Sequence, residues 1–381
     1  MIMGVDGYLG WPLAMHLSQR GHTVSGADNL SRRRNVAEIG SQSATPIRTM
    51  ERRLEAWRKA TGKAIRFYKG DLTKPGFADS IIGKEMPDCI VHLGEIPSAP
   101  YSMIDEDHCN YTQTNNVVGT NNIMFAMKRH VPGCHLLKLG TMGEYGTPNI
   151  DIPEGFFEIE YRGRKDILPF PRQAGSWYHL SKVHDTHNIM FACKVWGLRS
   201  TDIMQGVVHG VVTDEMATDD LLTRFDFDEV WGTALNRFCA QAVIGHELTT
   251  YGKGGQTRGF IALRDSIDCM TLAAENPPAE GEYRVFNQFD ETYSVNELAE
   301  HVMKVGTEFG LKAKVKSIEN PRMEREEHYY RPDREKLLKL GFRPQQDLDA
   351  ELRLTIPRLM MYRKRIDAQK QHIMPTIKWR G

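Results

Sequence analysis

Three glycines spaced three residues apart, Gly4, Gly7 and Gly10, follow a short apolar run and precede a segment with helical spacing. Glycines in this arrangement allow a tight turn, and they bring backbone amides and a helix N-terminus close to the phosphates of a ligand. The pattern is typical of the first turn of a doubly wound α/β fold, in which parallel strands alternate with helices. The opening residues therefore predict a sheet whose first crossover binds a dinucleotide.

Strand-like apolar runs recur at residues 22–28, 64–68, 88–93 and 135–139, and helical segments such as 11–19 and 115–128 lie between them. This alternation predicts a Rossmann-type doubly wound parallel sheet with helices on both faces, of the α/β class. The alternation loosens past about residue 200, which predicts a smaller C-terminal substrate-binding domain. We expect residues 1–205 to form the cofactor-binding domain, with return segments at about 230–270, and residues 206–381 to form mainly the substrate-binding domain.

Two segments depart from the simplest version of this fold. The polar, arginine-rich segment 31–62 stands where a short connection is expected, and we interpret it as an insertion. Three residues precede Gly4, whereas a strand usually has about five or six. The short first run favours a trimmed N-terminus and incomplete strand pairing there.

The choice of dinucleotide depends on Asp28, which ends the second predicted strand. A carboxylate at this position accepts hydrogen bonds from the adenosine ribose hydroxyls and repels a 2′-phosphate, which favours NAD over NADP. Arg32, Arg33 and Arg34 leave two alternatives open, because they could bind the extra phosphate or form a solvated loop. The residues predicted to bind the cofactor are Gly4, Gly7, Tyr8, Leu9, Gly10, Asp28, Asn29, Arg32, Asp71, Leu72, Leu93, Asn115, Tyr178 and Lys182.

A candidate catalytic group combines Thr141, at the end of a predicted strand, with Tyr178 and Lys182, four residues apart on one helix face. We expect the Lys182 ammonium to lower the pKa of the Tyr178 phenol. The phenolate would take a hydroxyl proton while hydride leaves the same carbon, and Thr141 would hold that hydroxyl.

Composition excludes several other classes of protein. The 49 Lys and Arg residues equal the 49 Asp and Glu residues, so no bulk field favours nucleic acid. No apolar stretch approaches the roughly 20 residues of a membrane span, and no secretion signal is visible. The six cysteines are scattered, which predicts reduced thiols in a cytoplasmic protein. His179, His184 and His187 lack a carboxylate or thiol that would complete a metal site, so no metal is predicted.

The order of these motifs resembles the extended short-chain dehydrogenase/reductase family, whose members commonly act on nucleotide sugars. Longer strings resemble its sulfoquinovose-forming branch nearly end to end: SAPYSMID from Ser98, LGTMGEYGTPNIDIPEG from Leu139, YHLSKVHD from Tyr178, YGKGGQTRGF from Tyr251 and EEHYY from Glu326. The resemblance implies that UDP-glucose and sulfite yield UDP-6-sulfoquinovose and water with bound NAD. The implied steps are C4 oxidation, C5/C6 dehydration, sulfite addition at C6 and C4 re-reduction.

The acid and base of the dehydration are less defined by the sequence. Ordinary sugar 4,6-dehydratases carry an Asp-Glu pair after the strand-end threonine, whereas this chain has Met142 and Gly143 there. His179 and Glu144 remain the candidates, although a histidine on this helix could equally be packed or face solvent. Pro97 stands where the resemblance leads us to expect a basic side chain, so the anchor for sulfite is not identified.

The UDP diphosphate requires positive charge and forked donors. Arg258 and Arg322 resemble the diphosphate-binding arginines of the family. The residues predicted to bind the substrate are Thr141, Met142, Gln205, Thr233, Asn236, Tyr251, Gln256, Arg258, Arg322 and Glu327.

Two other functions stay open at the level of sequence. One is an epimerase or 4,6-dehydratase of the same family that makes a different UDP-sugar. The other is a non-catalytic nucleotide-binding scaffold, against which the zero net charge and the combination of Thr141, Tyr178 and Lys182 weigh. The resemblance also implies a homodimer, and it leaves open whether sulfite arrives free or from a supplying protein.

Overall fold

The computed structural model describes residues 1–322, 325 and 328–379. Its strands are β1 (Ile2–Met3), β2 (Val24–Asp28), β3 (Ile65–Lys69), β4 (Cys89–His92), β5 (His135–Thr141), β6 (Phe156–Tyr161), β7 (Arg164–Pro169), β8 (Arg199–Gln205), β9 (Val207–His209), β10 (Leu248–Tyr251), β11 (Thr257–Ala262), β12 (Tyr283–Gln288), β13 (Glu291–Ser294) and β14 (Val315–Ile318).

The α-helices of the same residues are α1 (Gly10–Gln19), α2 (Ser31–Glu38), α3 (Met50–Thr61), α4 (Pro75–Glu85), α5 (Glu106–Gln113), α6 (Gly119–His130), α7 (Trp177–Trp196), α8 (Ala234–Ile244), α9 (Leu263–Glu275), α10 (Val295–Glu308), α11 (Glu335–Lys339), α12 (Leu348–Met360) and α13 (Arg363–Asp367). A π-helical turn, Thr114–Val118, joins α5 to α6, and short 3₁₀ turns occur at Tyr101–Met103, Met142–Glu144 and Lys370–His372.

A seven-stranded sheet forms the centre of the molecule, in the order β12-β8-β5-β4-β1-β2-β3. All of its neighbouring strands are parallel. Apolar residues of α1, α3 and α9 cover one face, and those of α4, α6 and α7 cover the other. The predicted Rossmann-type doubly wound sheet is confirmed, and its strand order changes direction at β1, where such sheets bind their ligands.

The first strand has two residues and is nevertheless central. Ile2 pairs with Gly26 of β2 and with Val91 of β4, so both edges of β1 are hydrogen-bonded. The Met1 ammonium also donates to the Cys89 carbonyl at 2.7 Å. The incomplete pairing expected from the short run is therefore not observed, because β2 and β4 satisfy the strand from both sides.

The C-terminal half carries smaller sheets that pack beside the carboxyl ends of the central strands. These are β13-β11-β9 and β10-β14, and the separate hairpin β6-β7 lies between β5 and α7 in the chain. A second apolar core joins α8, α10 and α12. Helix α9 packs on the central sheet, and β12 pairs with β8 at the edge of that sheet.

The arginine-rich segment 31–62 forms two helices, α2 and α3, and is packed against the sheet. The indole of Trp57 is buried and donates to Ser18 Oγ at 3.1 Å. Arg53 is fully buried, and its Nη1 atom lies 2.9 Å from Asp6. This segment therefore supports the glycine turn from outside.

All six cysteines are unpaired thiols. Among the described residues, no helix is long and apolar enough to cross a membrane.

Candidate active site

A cavity of about 870 Å³ lies at the carboxyl ends of the central strands, between the sheet and the C-terminal half. The predicted residues that line it are Gly4, Gly7, Tyr8, Leu9, Gly10, Asp28, Asn29, Arg32, Leu72, Leu93, Asn115, Thr141, Met142, Tyr178, His179, Lys182, Gln205, Thr233, Asn236, Tyr251, Gln256, Arg258 and Arg322. Asp71 does not line the cavity, because its carboxylate accepts from the backbone and hydroxyl of Thr73. Glu327 lies outside the described residues.

The glycine turn is shaped by how closely its backbone approaches neighbouring strands. Gly4 has a φ of +86°, and a Cβ there would lie 2.4 Å from the Leu93 carbonyl oxygen. A Cβ on Gly10 would lie 2.1 Å from the Gly4 oxygen. Side chains are excluded at both positions, so the start of α1 stays open to the cavity as a pyrophosphate site requires.

Asp28 is positioned for a ribose at the end of β2. Its carboxylate accepts from the Asp6 amide at 2.9 Å and the Leu30 amide at 2.6 Å. Burial, together with the nearby Asp6 charge, raises the pKa of Asp28 to about 6. Because the carboxylate oxygens retain capacity to accept hydroxyl donors, the turn and Asp28 together fit NAD.

The three consecutive arginines all have partners within the protein. Arg32 donates to Asp226 and stacks on Trp231, with its guanidinium carbon 3.9 Å from the ring centroid. Arg33 pairs with Asp6 at 2.6 Å, and Arg34 donates to a backbone carbonyl. The run therefore forms part of helix α2 and not a loop, and two of its three arginines are paired with buried carboxylates.

Helix α7 brings the candidate catalytic side chains to the end of β5. Ser176 caps the helix by accepting from the His179 amide, and the Tyr178 amide donates to Ser102 Oγ at 3.0 Å. The Thr141 side chain lies close enough to the Tyr178 phenol to affect its pKa. The structure thus places Thr141, Tyr178 and Lys182 along one wall of the cavity.

Sequence reasoning missed Glu95, the partner of Lys182. The Lys182 ammonium donates to the Glu95 carboxylate in a buried ion pair. Burial, and next the negative charge of Glu95, raise the pKa of Tyr178 above its ordinary value. The net shift is opposite in direction to the lowering expected from Lys182, because burial and the Glu95 charge both raise the pKa.

His179 lies beside Tyr178 and faces Gly143. Its Nδ1 atom is 2.8 Å from Ser176 Oγ, and a Cβ on Gly143 would lie 2.3 Å from its Nε2 atom. Burial, together with the charges of Arg322 and Arg258, lowers the pKa of His179 to about 3. The ring is neutral near pH 7, and the glycine leaves room for its Nε2 atom at the cavity wall.

Glu144 is fully buried and does not line the cavity. Its carboxylate accepts from the Thr141 amide, from Lys138 and from Thr186. Together with the Thr141 hydroxyl, which accepts from the Gly143 amide, it forms a capping box for the turn after β5. These contacts favour a positioning role for Glu144 over direct proton transfer to a substrate.

The substrate side of the cavity is rich in arginine and amide groups. Gln205 donates to Gln288 at 2.9 Å, which fixes its amide at the end of β8. Thr233 caps α8 by accepting from the Asn236 amide. Sequence reasoning missed Arg237, Arg325, Trp231, Tyr330 and Trp379, which also line the cavity. An arginine next to an aromatic residue was a signal that the sequence offered at Tyr330, which Arg331 follows.

Comparison with known proteins agrees with this geometry. Residues 1–287 match the NAD dependent epimerase/dehydratase family. UDP-sulfoquinovose synthase from Sulfolobus acidocaldarius is 51% identical over 100% of this chain and 97% of its own length. The chloroplastic UDP-sulfoquinovose synthase from Spinacia oleracea is also 51% identical, over 100% of this chain and 79% of its own length.

Among solved structures, UDP-glucuronic acid 4-epimerase from Bacillus cereus, in complex with UDP-glucuronic acid and NAD, superimposes with a TM-score of 0.70. The match covers 94% of this chain and 98% of the epimerase at 18% identity. This similarity shows that the two proteins share a fold.

Proposed function

The chain belongs to the NAD-dependent epimerase/dehydratase family and, within it, to the UDP-sulfoquinovose synthases, and we propose that the cavity described above forms UDP-6-sulfoquinovose from UDP-glucose and sulfite. The observation that supports this most strongly is the placement of Thr141, Tyr178 and Lys182 on one wall of a cavity that also contains the glycine turn and Asp28.

The cofactor end of the cavity fits NAD, which supplies reversible hydride transfer when it is bound. The glycine turn and the N-terminus of α1 would hold the pyrophosphate, and Asp28 would accept from the adenosine ribose. Asn115 and Lys182 line the cavity between that end and Thr141.

Tyr178 would act as the base for oxidation of the C4 hydroxyl. Thr141 lies close enough to the Tyr178 phenol to affect its pKa, so Thr141 can hold the sugar hydroxyl while the Tyr178 phenolate takes the proton. The same phenol would return the proton when C4 is reduced again. Because the proton leaves and returns at one atom, the completed reaction leaves Tyr178 as it began.

A C4 ketone acidifies the proton on C5, and a base must then remove it so that the C6 hydroxyl can leave. We propose His179 for this step, since its ring is neutral and its Nε2 atom lies at the cavity wall beside Gly143. Met142 and Gly143 offer no acid or base, and Glu144 is held in the capping box. The C6 hydroxyl would leave with a proton as water. Sulfite would then add at C6, and C5 would take up a proton before C4 is reduced.

The diphosphate of the substrate would bind the arginines on the opposite side of the cavity. Arg258 and Arg322 supply positive charge there, and burial with these charges explains the lowered pKa of His179. Gln205, Asn236 and Gln256 line the same side.

Mass spectrometry of the nucleotide sugars formed from UDP-glucose and NAD, with and without sulfite, tests this function. A sulfonated UDP-sugar that appears when sulfite is present is the expected result. A dehydrated or epimerised UDP-sugar that forms without sulfite would support the alternative enzyme of the same family and overturn the synthase.

Tyr178→Phe provides the matched variant for this assay. Loss of the phenol should reduce product formation by about 10²–10⁴-fold, while the free energy of unfolding changes little. A non-catalytic scaffold would show no product with either protein.

We also propose a homodimer, which the exposed apolar side chains of α6 and α7 support. Phe125 is 46% exposed, Trp177 47% and Phe191 61%, and apolar patches of this kind are typical of protein interfaces. Sedimentation velocity would distinguish a dimer from a monomer. A cytoplasmic location and a sulfite-supplying partner stay predictions.

A further inference from the structure

Behind Lys182 lies a second carboxyl group, Asp185, that the proposed function does not use. Asp185 is one helical turn after Lys182 on α7 and is fully buried. Neither of its oxygens has a conventional hydrogen-bond donor among the described residues, and the same is true of Glu95 Oε1. Buried polar atoms without donors are rare in native proteins.

Glu95 is the ion-pair partner of Lys182, Asp185 lies one helical turn after that lysine, and the two carboxyl groups are close enough to act on each other's pKa. Two ionised carboxylates at this distance would repel each other strongly, whereas one shared proton converts the contact into a hydrogen bond. Burial and the charge of Glu95 raise the pKa of Asp185. For Glu95 burial acts to raise the pKa, but the Lys182 ammonium, together with His92, Asp185 and Lys138, lowers it to about 2. The proton therefore belongs on Asp185.

The loop that carries Glu95 is fixed in place by the π-helical turn. Asn116 Oδ1 accepts from the Ile96 amide at 2.7 Å, and its Nδ2 atom donates to Ser181 Oγ of α7 at 2.9 Å. Asn115 donates to the Gly94 carbonyl at 3.3 Å. Because one asparagine joins the loop to α7, Glu95 is held opposite Lys182 and Asp185.

The other titratable groups that act on the pair lie on the two neighbouring strands and on α7. Burial lowers the pKa of His92 on β4 to about 4, so its ring is neutral near pH 7. Lys138 on β5 has its own carboxylate partners, Glu144 and Asp202. Tyr178 is the remaining group, and the Glu95 charge disfavours its ionisation.

We propose that Asp185 and Glu95 share one proton as a buried acid–carboxylate pair, and that this pair positions the Lys182 ammonium and sets how tightly Tyr178 holds its proton. Asp185 donates its proton to Glu95, and Glu95 accepts from Lys182 with its other oxygen. Both acids are positioning residues. The inference rests on the proposed roles of Tyr178 and Lys182.

Infrared spectroscopy of protein labelled with ¹³C-aspartate tests the shared proton without measuring catalysis. At about pH 8, above the pKa values of about 6 for Asp28 and Asp265, the wild-type protein should retain a protonated carboxylic acid band. Asp185→Asn should remove the band. The control Asp79→Asn should leave it, because Arg129 and His130 lower the pKa of this half-buried aspartate. A wild-type spectrum without the band overturns the proposal.

The pH profile of hydride transfer tests the effect on Tyr178. Reduced nicotinamide formed after mixing with UDP-glucose alone reports this step, so the result does not depend on whether sulfite is used. Glu95→Gln keeps the shape and removes the charge, and it should move the rising limb of the profile, which reports deprotonation of Tyr178, about one unit to lower pH. An unchanged limb in a folded Glu95→Gln protein overturns the proposal.

Variants of Asp185 separate a positioning role from simple packing. Asparagine keeps a donor toward Glu95, so Asp185→Asn should restore hydride transfer to within about twofold of the wild type, whereas Asp185→Ala should lose about tenfold in kcat. Equal losses in the two variants would contradict donation by Asp185. Because absence of a sulfonated product changes none of these readouts, failure of the proposed function is distinguishable from failure of this inference.

Discussion

Two buried lysines meet at α7, and they are held in different ways. The Lys138 cluster, formed by Lys138, Glu144, Thr186 and Asp202, lies beneath the helix. The Lys182 cluster, formed by Lys182, Glu95 and Asp185, lies at its cavity edge.

The difference lies in how completely each ammonium is hydrogen-bonded. Lys138 Nζ contacts two carboxylates, a hydroxyl and the Lys182 carbonyl oxygen. Although burial acts in the opposite direction, Asp202 and Glu144 raise the pKa of Lys138. Among the described residues, Lys182 Nζ bonds to Glu95 and otherwise faces the cavity. A buried lysine with complete coordination supports the fold, whereas one with open donors is available to ligands.

The largest expected effect is on stability and comes from Lys138→Met. Removal of the ammonium leaves Glu144 and Asp202 as buried charges without a cation, which should lower the free energy of unfolding by about 3–5 kcal/mol. Urea denaturation measures the loss. Lys182→Met is the matched control and should cost less, because the acid pair can take up a further proton. A greater loss in Lys182→Met would reverse the comparison.

Glu144→Gln should have an intermediate effect. The amide keeps the size of the carboxylate but loses charge-assisted bonds with Lys138 and the Thr141 amide, which we expect to cost about 1–3 kcal/mol. If Glu144 positions Thr141, kcat should fall by less than about tenfold with an unchanged pH profile. A loss of about 10²-fold or more with a missing limb in the profile would instead identify Glu144 as an acid or base.

The effect that is smallest per pH unit belongs to the Lys182 cluster. The folded protein keeps a proton on Asp185, whereas the unfolded chain releases it above its ordinary pKa of 3.8. Above that pH, the free energy of unfolding should therefore fall as pH rises, by at most about 1.4 kcal/mol per pH unit. Subtracting the curve of Asp185→Asn from that of the wild type isolates this slope. Parallel curves would show that Asp185 is ionised in the folded protein.

The features of the site that depend on local residue spacing could be predicted from the sequence. The glycine turn, Asp28 at the end of β2 and the Tyr178–Lys182 pair on one helix face follow from strand and helix periods. Each was placed at the cavity by the structure. The short β1 was harder to interpret, because its pairing depends on strands that lie far away in the chain.

Contacts between residues far apart in the sequence could not be predicted from local spacing. Glu95 and Lys182 are 87 residues apart, so an acid in a loop gave no sign of its partner. Asp185 offered a weak signal, because it lies one turn from a candidate catalytic lysine on the same helix. Glu144 follows Thr141 closely in sequence, yet Lys138 and Thr186 turn its carboxylate away from the cavity. Adjacency in the chain could not reveal that burial.

The unpaired cysteines determine how the fold responds to sulfite. Sulfite, the proposed co-substrate, cleaves disulfides by attack at sulfur, as thiolates do. The cysteines of this fold are free thiols, and burial raises the pKa of Cys89 to about 11 and that of Cys134 to about 12. The chain therefore has no disulfide that its proposed co-substrate, sulfite, could cleave. The fold can therefore work at high sulfite concentration without sulfitolysis of any bond that holds it together.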